Sequence, residues 1–202
     1  MRELILTGPR ELAYREYEDR AINPVEVRAT AVVGSLSHGT ELSEYRGRSP
    51  FVEKRFDPKL RLFVPAETSL SFPRTLGYEW VGRVAEVGSE SVGYELGDLV
   101  HLPLPHRESQ IFPAGGIGPG AWDLKLPAGI EPERAAMLQS TTIVLQAVQD
   151  ARIRVGDRVA VFGLGALGLI ACQLVKRSGA GWVVGIDPIA VRRAAAVAFG
   201  VD

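Results

Sequence analysis

Near the N-terminus, "RELILTG" and "ELAYREYE" alternate apolar and polar residues, the period of a strand with one covered face. "VEVRATAVVGS" repeats the alternation just after Asn23 and Pro24. "LGYEWVGRVAEVGSES" and "GDLVHLPLP" add two further runs, each bounded by Gly, Pro or Ser. Many short strands with frequent turns, over about the first 125 residues, predict a small barrel or sandwich. Residues 46–73 break the alternation with mixed charges and several prolines, and read as an irregular surface excursion, a lid or a partner contact.

After Pro127 the period changes. "PERAAMLQSTTIVLQAVQDA" predicts one helix, with Pro132 in the first turn where its missing N–H is tolerated. "GDRVAVFG" predicts a strand and "ALGLIACQLVKRSG" a helix, with Leu167, Ile170, Ala171, Leu174 and Val175 on one face and Gly179 placed to end it. "GWVVGID" is the next strand. "PIAVRRAAAVAFG" is the next helix, with Pro188 at its start and Gly200 at its end. Alternating strands and helices imply a parallel sheet with covered faces. The expected architecture is therefore α/β in two parts: a β-rich domain over residues 1–127, then a linking helix and part of a doubly wound parallel sheet over 128–202. The sequence stops at Val201 and Asp202, where another parallel strand is expected, so it reads as an N-terminal fragment or a truncated reading frame.

Composition narrows the classes. With 46% hydrophobic and 23% charged residues the chain is ordinary globular protein. A net charge of -1 with both signs scattered points to neither nucleic acid nor an anionic membrane. A single cysteine, Cys172, excludes a disulfide framework and a cysteine-rich zinc knuckle. Inside a helix it reads as a small buried apolar residue. The uncharged run over residues 159–175 is slightly short for a membrane span and carries three regularly spaced glycines, so strand, turn and helix explain it better. The N-terminus has early charges and no long apolar core, unlike a signal peptide. A cytoplasmic protein is expected.

The most informative local chemistry is "VAVFGLGALG", which sets Gly163, Gly165 and Gly168 in a G-x-G-x-x-G pattern between an apolar strand and a helix. That context fits a dinucleotide: Gly163 for the tight turn, Gly165 for close approach of a pyrophosphate, Gly168 for close helix–strand packing. Ala166 and Leu167 open the helix, whose free N–H groups and partial positive charge suit phosphates. Asp187 closes the next strand, about 20 residues on, where an acid receives the ribose hydroxyls and repels a 2′-phosphate, favouring NAD. Arg192 and Arg193 follow closely and leave NADP open. A glycine turn that only packs a helix is the plainer alternative.

A strand-rich N-terminal part followed by this loop resembles the medium-chain dehydrogenase/reductase superfamily, the alcohol dehydrogenase type with a GroES-like catalytic domain and a Rossmann cofactor domain. The resembling segments are "GTELSEYRG", "LGYEWVGRVAEVGSESVGYELGDLV" and "PERAAMLQSTTIVLQAVQDARIRVGDRVAVFGLGALG". "GTE", "GYEWVGRV" and a short cysteine-free first domain look most like the subgroup of bacteriochlorophyllide a dehydrogenase-like proteins. The resemblance implies hydride transfer between NAD(P) and a small-molecule alcohol/carbonyl pair, and a homo-oligomeric parent protein.

The resemblance also allows a metal to be sought position by position. Zinc members of the family use a cysteine, a histidine and a third cysteine or acid. Those positions fall here on His38, Tyr78 and Gln139, and the four-cysteine structural lobe is missing. His38 can bind zinc and Glu79 can add an oxygen, but Tyr78 and Gln139 are poor ligands, so the set argues for a metal site that has lost its metal. Proton handling then passes to other groups. Thr40 matches the family's relay hydroxyl, while Ser43 stands where many relatives have a relay histidine. His38 offers an imidazole as general acid/base, the residue type that ordinarily titrates near neutrality. Tyr78 offers a phenolic O–H to a carbonyl oxygen, or else simply fills the empty metal cavity, and Glu79 orients these groups. His101 and His106 read as structural or surface residues. Two alternatives stay open: a zinc-free quinone or enoyl reductase using NADPH, and a catalytically dead dinucleotide-binding remnant.

Overall fold

A computed structural model describes residues 1–67, 71–117 and 125–202. The chain divides into two compact units, residues 1–137 and 138–202.

The first unit is built from antiparallel sheet, as the short alternating runs require. Strands β1 (Arg2–Gly8) and β2 (Glu11–Glu16) form a hairpin, and β6 (Arg74–Thr75) pairs with the free edge of β1. Strands β3 (Glu26–Gly34), β7 (Trp80–Val87), β8 (Leu99–Leu102) and β9 (Ser109–Pro113) form a second sheet in the order β8-β7-β3-β9. Adjacent residues on a strand face opposite sides. Trp80 and Val81 are nevertheless both buried, because this sheet is covered on both faces. One face holds Val27, Ala29, Trp80, Val84, Tyr94, Val100, Leu102 and Phe112. The other holds Val81 with Leu126, Ala135 and Ala136. The Tyr94 and Phe112 rings meet edge to face, 5.5 Å between centroids. The Trp80 indole N–H donates to the Arg107 carbonyl at 2.8 Å, so the largest buried side chain leaves no orphan donor.

Two local expectations are corrected. Residues 46–73 are not wholly irregular: after the short helix α1 (Thr40–Tyr45), β4 (Lys54–Asp57) and β5 (Leu62–Pro65) form a hairpin, with Phe63 packed edge-on against both Phe51 and Phe56. Residues 68–70 of that segment lie outside the described residues. The helix expected from Pro132 is in fact two, α2 (Pro132–Ala135) and α3 (Leu138–Asp150). Ala135 and Ala136 are pressed onto the sheet. Met137 is held by a hydrogen bond from the Ser35 hydroxyl to its sulfur at 3.4 Å. Tertiary packing there overrides helix propensity.

In the second unit β10 (Arg158–Phe162) pairs in parallel with β11 (Trp182–Ile186), and α4 (Ala166–Arg177) and α5 (Ala190–Ala198) follow the two strands. Val159, Val161 and Val183 face a core closed by Val144 and Val148 of α3, Cys172 and Val175 of α4, and Ala196 of α5. Cys172 is fully buried and the surroundings push its thiol pKa up, so it is apolar packing as expected. Leu167 is the exception on its predicted face: it sits exposed on the first turn of α4. The Asp202 N–H donates to the Val183 carbonyl at 2.8 Å and the Asp202 carbonyl accepts the Gly185 N–H at 3.1 Å, along the outer edge of β11. Among the described residues no helix is long and apolar enough to cross a membrane. Two-layer antiparallel sheet followed by parallel strands with helices is the GroES-like plus dinucleotide-binding architecture.

Candidate functional site

His38 lies on the tight turn between β3 and α1, and Thr40 is the first residue of α1. The Ser37 hydroxyl accepts the Thr40 N–H at 3.2 Å, while the Glu41 carboxylate reaches back to accept the Ser37 N–H at 2.8 Å. These two bonds tie Ser37 to the first turn of α1 and hold the backbone from which both side chains project. His38 and Thr40 are themselves exposed. His38, with Ser37 and Glu41, stands at the wall of a largely apolar cavity of about 280 Å³ whose other lining residues are Leu4, Leu12, Leu36, Leu42, Tyr45 and Leu76.

Tyr78 and Glu79 arrive from the neighbouring strand end. Gly34 of β3 pairs with Trp80 of β7, and the Ser35 N–H donates to the Glu79 carbonyl at 3.0 Å. The two segments that carry the candidate side chains therefore leave one end of the same sheet. Tyr78 is half-buried. Glu79 is buried, and its carboxylate accepts from His101 Nε2–H on β8 at 2.8 Å.

That pairing bears on zinc, which the fold family implies. Glu79 is committed to His101, and Glu41 is committed to the Ser37 N–H and to His106 at 3.0 Å. Among the described residues no three His, Cys, Asp or Glu side chains converge as a metal set would. The donor set does not fit a catalytic zinc, which needs three good protein ligands.

Sequence reasoning missed the Glu41–His106 pair, whose members are 65 positions apart with no local signal to join them. It also missed Glu44 and Arg74, 3.2 Å apart. Burial pushes the Glu44 carboxyl up; Arg74 offsets part of this, and Glu41 adds to it.

The glycine loop follows β10. Gly163 has φ +87°, open to glycine at no steric cost. A Cβ on Gly168 would collide with the Gly163 carbonyl oxygen, so the first turn of α4 can approach the loop only with glycine there. The Leu169 N–H makes the first intrahelical bond, to the Gly165 carbonyl at 2.9 Å. The N–H groups of Ala166, Leu167 and Gly168 thus lie outside the helical ladder at the positive end of a 12-residue helix. Asp187 is tied to this loop: its carboxylate accepts the Leu164 N–H and the Ile189 N–H, each at 2.8 Å, and these two bonds hold its pKa below the usual carboxylate range. Arg192 lies 3.4 Å from the same carboxylate, and Arg193 donates to the Asp187 carbonyl at 2.7 Å.

In sequence and in fold the chain matches the medium-chain dehydrogenase/reductase superfamily broadly, without singling out the bacteriochlorophyllide subgroup. A D-guloside 3-dehydrogenase of Escherichia coli (strain K12) is 39% identical over 208 residues, aligned with 100% of this chain and 58% of its own length. The 2R,3R-butanediol dehydrogenase of Bacillus subtilis superposes with a TM-score of 0.76 at 23% identity, over 99% of this chain and 61% of that one. The alcohol dehydrogenase TADH of Thermus sp. ATN1 superposes with a TM-score of 0.72 at 23% identity, over 100% of this chain and 62% of that one. These two structures speak to the fold. The chain spans 58% of the length of its D-guloside dehydrogenase relative. No protein-family model matches it.

Proposed function

We propose that this chain carries the cofactor loop and the proton-handling turn of an NAD-linked oxidoreductase that moves a hydride between nicotinamide and an alcohol/carbonyl pair, without a catalytic zinc. The observation that carries the reading is the glycine loop with Asp187 bonded to its Leu164 N–H, the geometry a dinucleotide needs. The 39% identical relative points to a secondary hydroxyl of a glycoside as the substrate class.

Gly163, Gly165, Ala166, Leu167 and Gly168 would hold the pyrophosphate on backbone N–H groups, and Asp187 the adenosine ribose. NAD supplies the hydride acceptor. The residues of the turn deal with the proton. Thr40 Oγ takes the hydroxyl proton of the substrate and passes one on, and the His38 imidazole serves as the base beyond it. Tyr78 O–H donates to the oxygen that becomes the carbonyl. Glu79, through His101, anchors the strand end from which Tyr78 projects.

Thr40→Ala is expected to lower kcat by roughly 10²–10⁴-fold, with Thr40→Ser recovering most of it. Equal turnover by wild type and Thr40→Ala would remove Thr40 from the mechanism. Tyr78→Phe separates a hydrogen-bond donor, whose loss lowers kcat, from a cavity filler, whose replacement leaves kcat alone. A second reading, an NADPH-linked quinone or enoyl reductase, rests on Arg192 beside Asp187. A clear preference for NADPH over NADH would favour it.

A further inference from the structure

We propose that His106 is a positioning residue that locks the His38–Thr40 turn to the Tyr78 strand end. The inference rests on the reading of those residues as the reacting groups. His106 lies in the loop between β8 and β9, and four separate segments meet on it. Its N–H donates to the Leu76 carbonyl at 2.7 Å, and its carbonyl accepts the Leu4 N–H at 2.9 Å. Its ring Nε2–H donates to Glu41 at 3.0 Å. The other Glu41 oxygen accepts the Ser37 N–H at 2.8 Å, and Ser37 Oγ accepts the Thr40 N–H at 3.2 Å. Three hydrogen bonds in series therefore run from the imidazole to the backbone of Thr40.

The ring is also wedged. A Cβ on Gly34 would come within 2.7 Å of His106 Nδ1, and one on Gly77 within 2.7 Å of its Cδ2. Gly34 ends the strand that leads to His38, and Gly77 immediately precedes Tyr78. The imidazole fills a slot that only two bare backbones leave, at the point where the two candidate segments part. The side chain is 13% exposed, so the charge-assisted bond to Glu41 is largely shielded from water. Losing it would leave the Glu41 carboxylate buried without its cation-capable partner, and the turn would lose its fixed acceptor.

Hydrogen exchange on the full chain reads the turn directly at the Ser37 and Thr40 amides, with β7 and β8 as internal control. Asparagine places its amide near Nδ1 and cannot reach Glu41, whereas glutamine places one near Nε2. His106→Asn is expected to speed exchange at Ser37 and Thr40 by about tenfold or more, the size of a lost bond to a charged group, with β7 and β8 unchanged. His106→Gln is expected to stay near wild type. Glu41→Gln leaves the ring in its slot and should also speed the same two amides; it carries the test if the asparagine variant does not fold. Unchanged exchange at Ser37 and Thr40, or acceleration spread evenly over β7 and β8, would overturn the proposal. In turnover, His106→Asn should lower kcat with the KM for NAD unmoved, and His106→Gln should restore it. If Thr40→Ala loses turnover while His106→Asn keeps it, positioning by His106 is overturned. If Thr40→Ala keeps turnover, the reading of the site beneath it fails, and the exchange result alone decides on His106.

Discussion

The Asp187 carboxylate is engaged by the glycine loop itself. It receives the Leu164 and Ile189 N–H groups and so shapes the glycine loop. Because its pKa is lowered in the folded chain, its contribution to stability is present above the ordinary carboxylate value of about 3.9 and is lost as pH falls through the lower folded value. The protection factor of the Leu164 amide, its exchange corrected for the intrinsic pH dependence, should therefore fall on acidification below about pH 4, and Asp187→Asn should flatten that dependence. The same variant should weaken NADH binding by about tenfold and strengthen NADPH binding, since an acid at that position also repels a 2′-phosphate. Fluorescence titration with the two cofactors checks both signs. The loop residues were legible in the sequence because their logic is local: glycines at fixed spacing, a strand before, a helix after. Glu41 and His106 were not, because only the folded sheet brings positions 65 apart to 3.0 Å.

At the scale of elements, strands declared themselves wherever apolar and polar residues alternate between turn residues. β1, β2, β3, β7 and β8 fall within their alternating runs. The β4–β5 hairpin was hidden because its apolar residues Phe56, Leu62 and Phe63 stay exposed, with only the Phe56 and Phe63 rings meeting across the pair, and charged residues interrupt the pattern. The break between α2 and α3 was hidden for the opposite reason, since "RAAMLQ" is good helix sequence whose two alanines are claimed by the sheet. Helix α4 tests the element logic most sharply. Gly168→Ala adds one methyl against the Gly163 carbonyl and should destabilise the second unit by roughly 1–3 kcal/mol or more, measured by urea unfolding. An unchanged midpoint would mean that the close approach of α4 to the loop is not needed.

For the molecule as a whole, the order of a β-rich unit then a parallel unit was readable from the change of period near Pro127 and from the glycine loop. The proposed chemistry is hydride transfer with NAD in which side-chain hydroxyls and an imidazole, not zinc, handle the proton. The direct test is NADH formation by chelator-treated full-length protein offered glycosides and simple secondary alcohols, with zinc measured in the same sample. NAD-dependent turnover at substoichiometric zinc, lost in Thr40→Ala, is the expected result. Turnover that disappears on chelation and returns on adding zinc would contradict it.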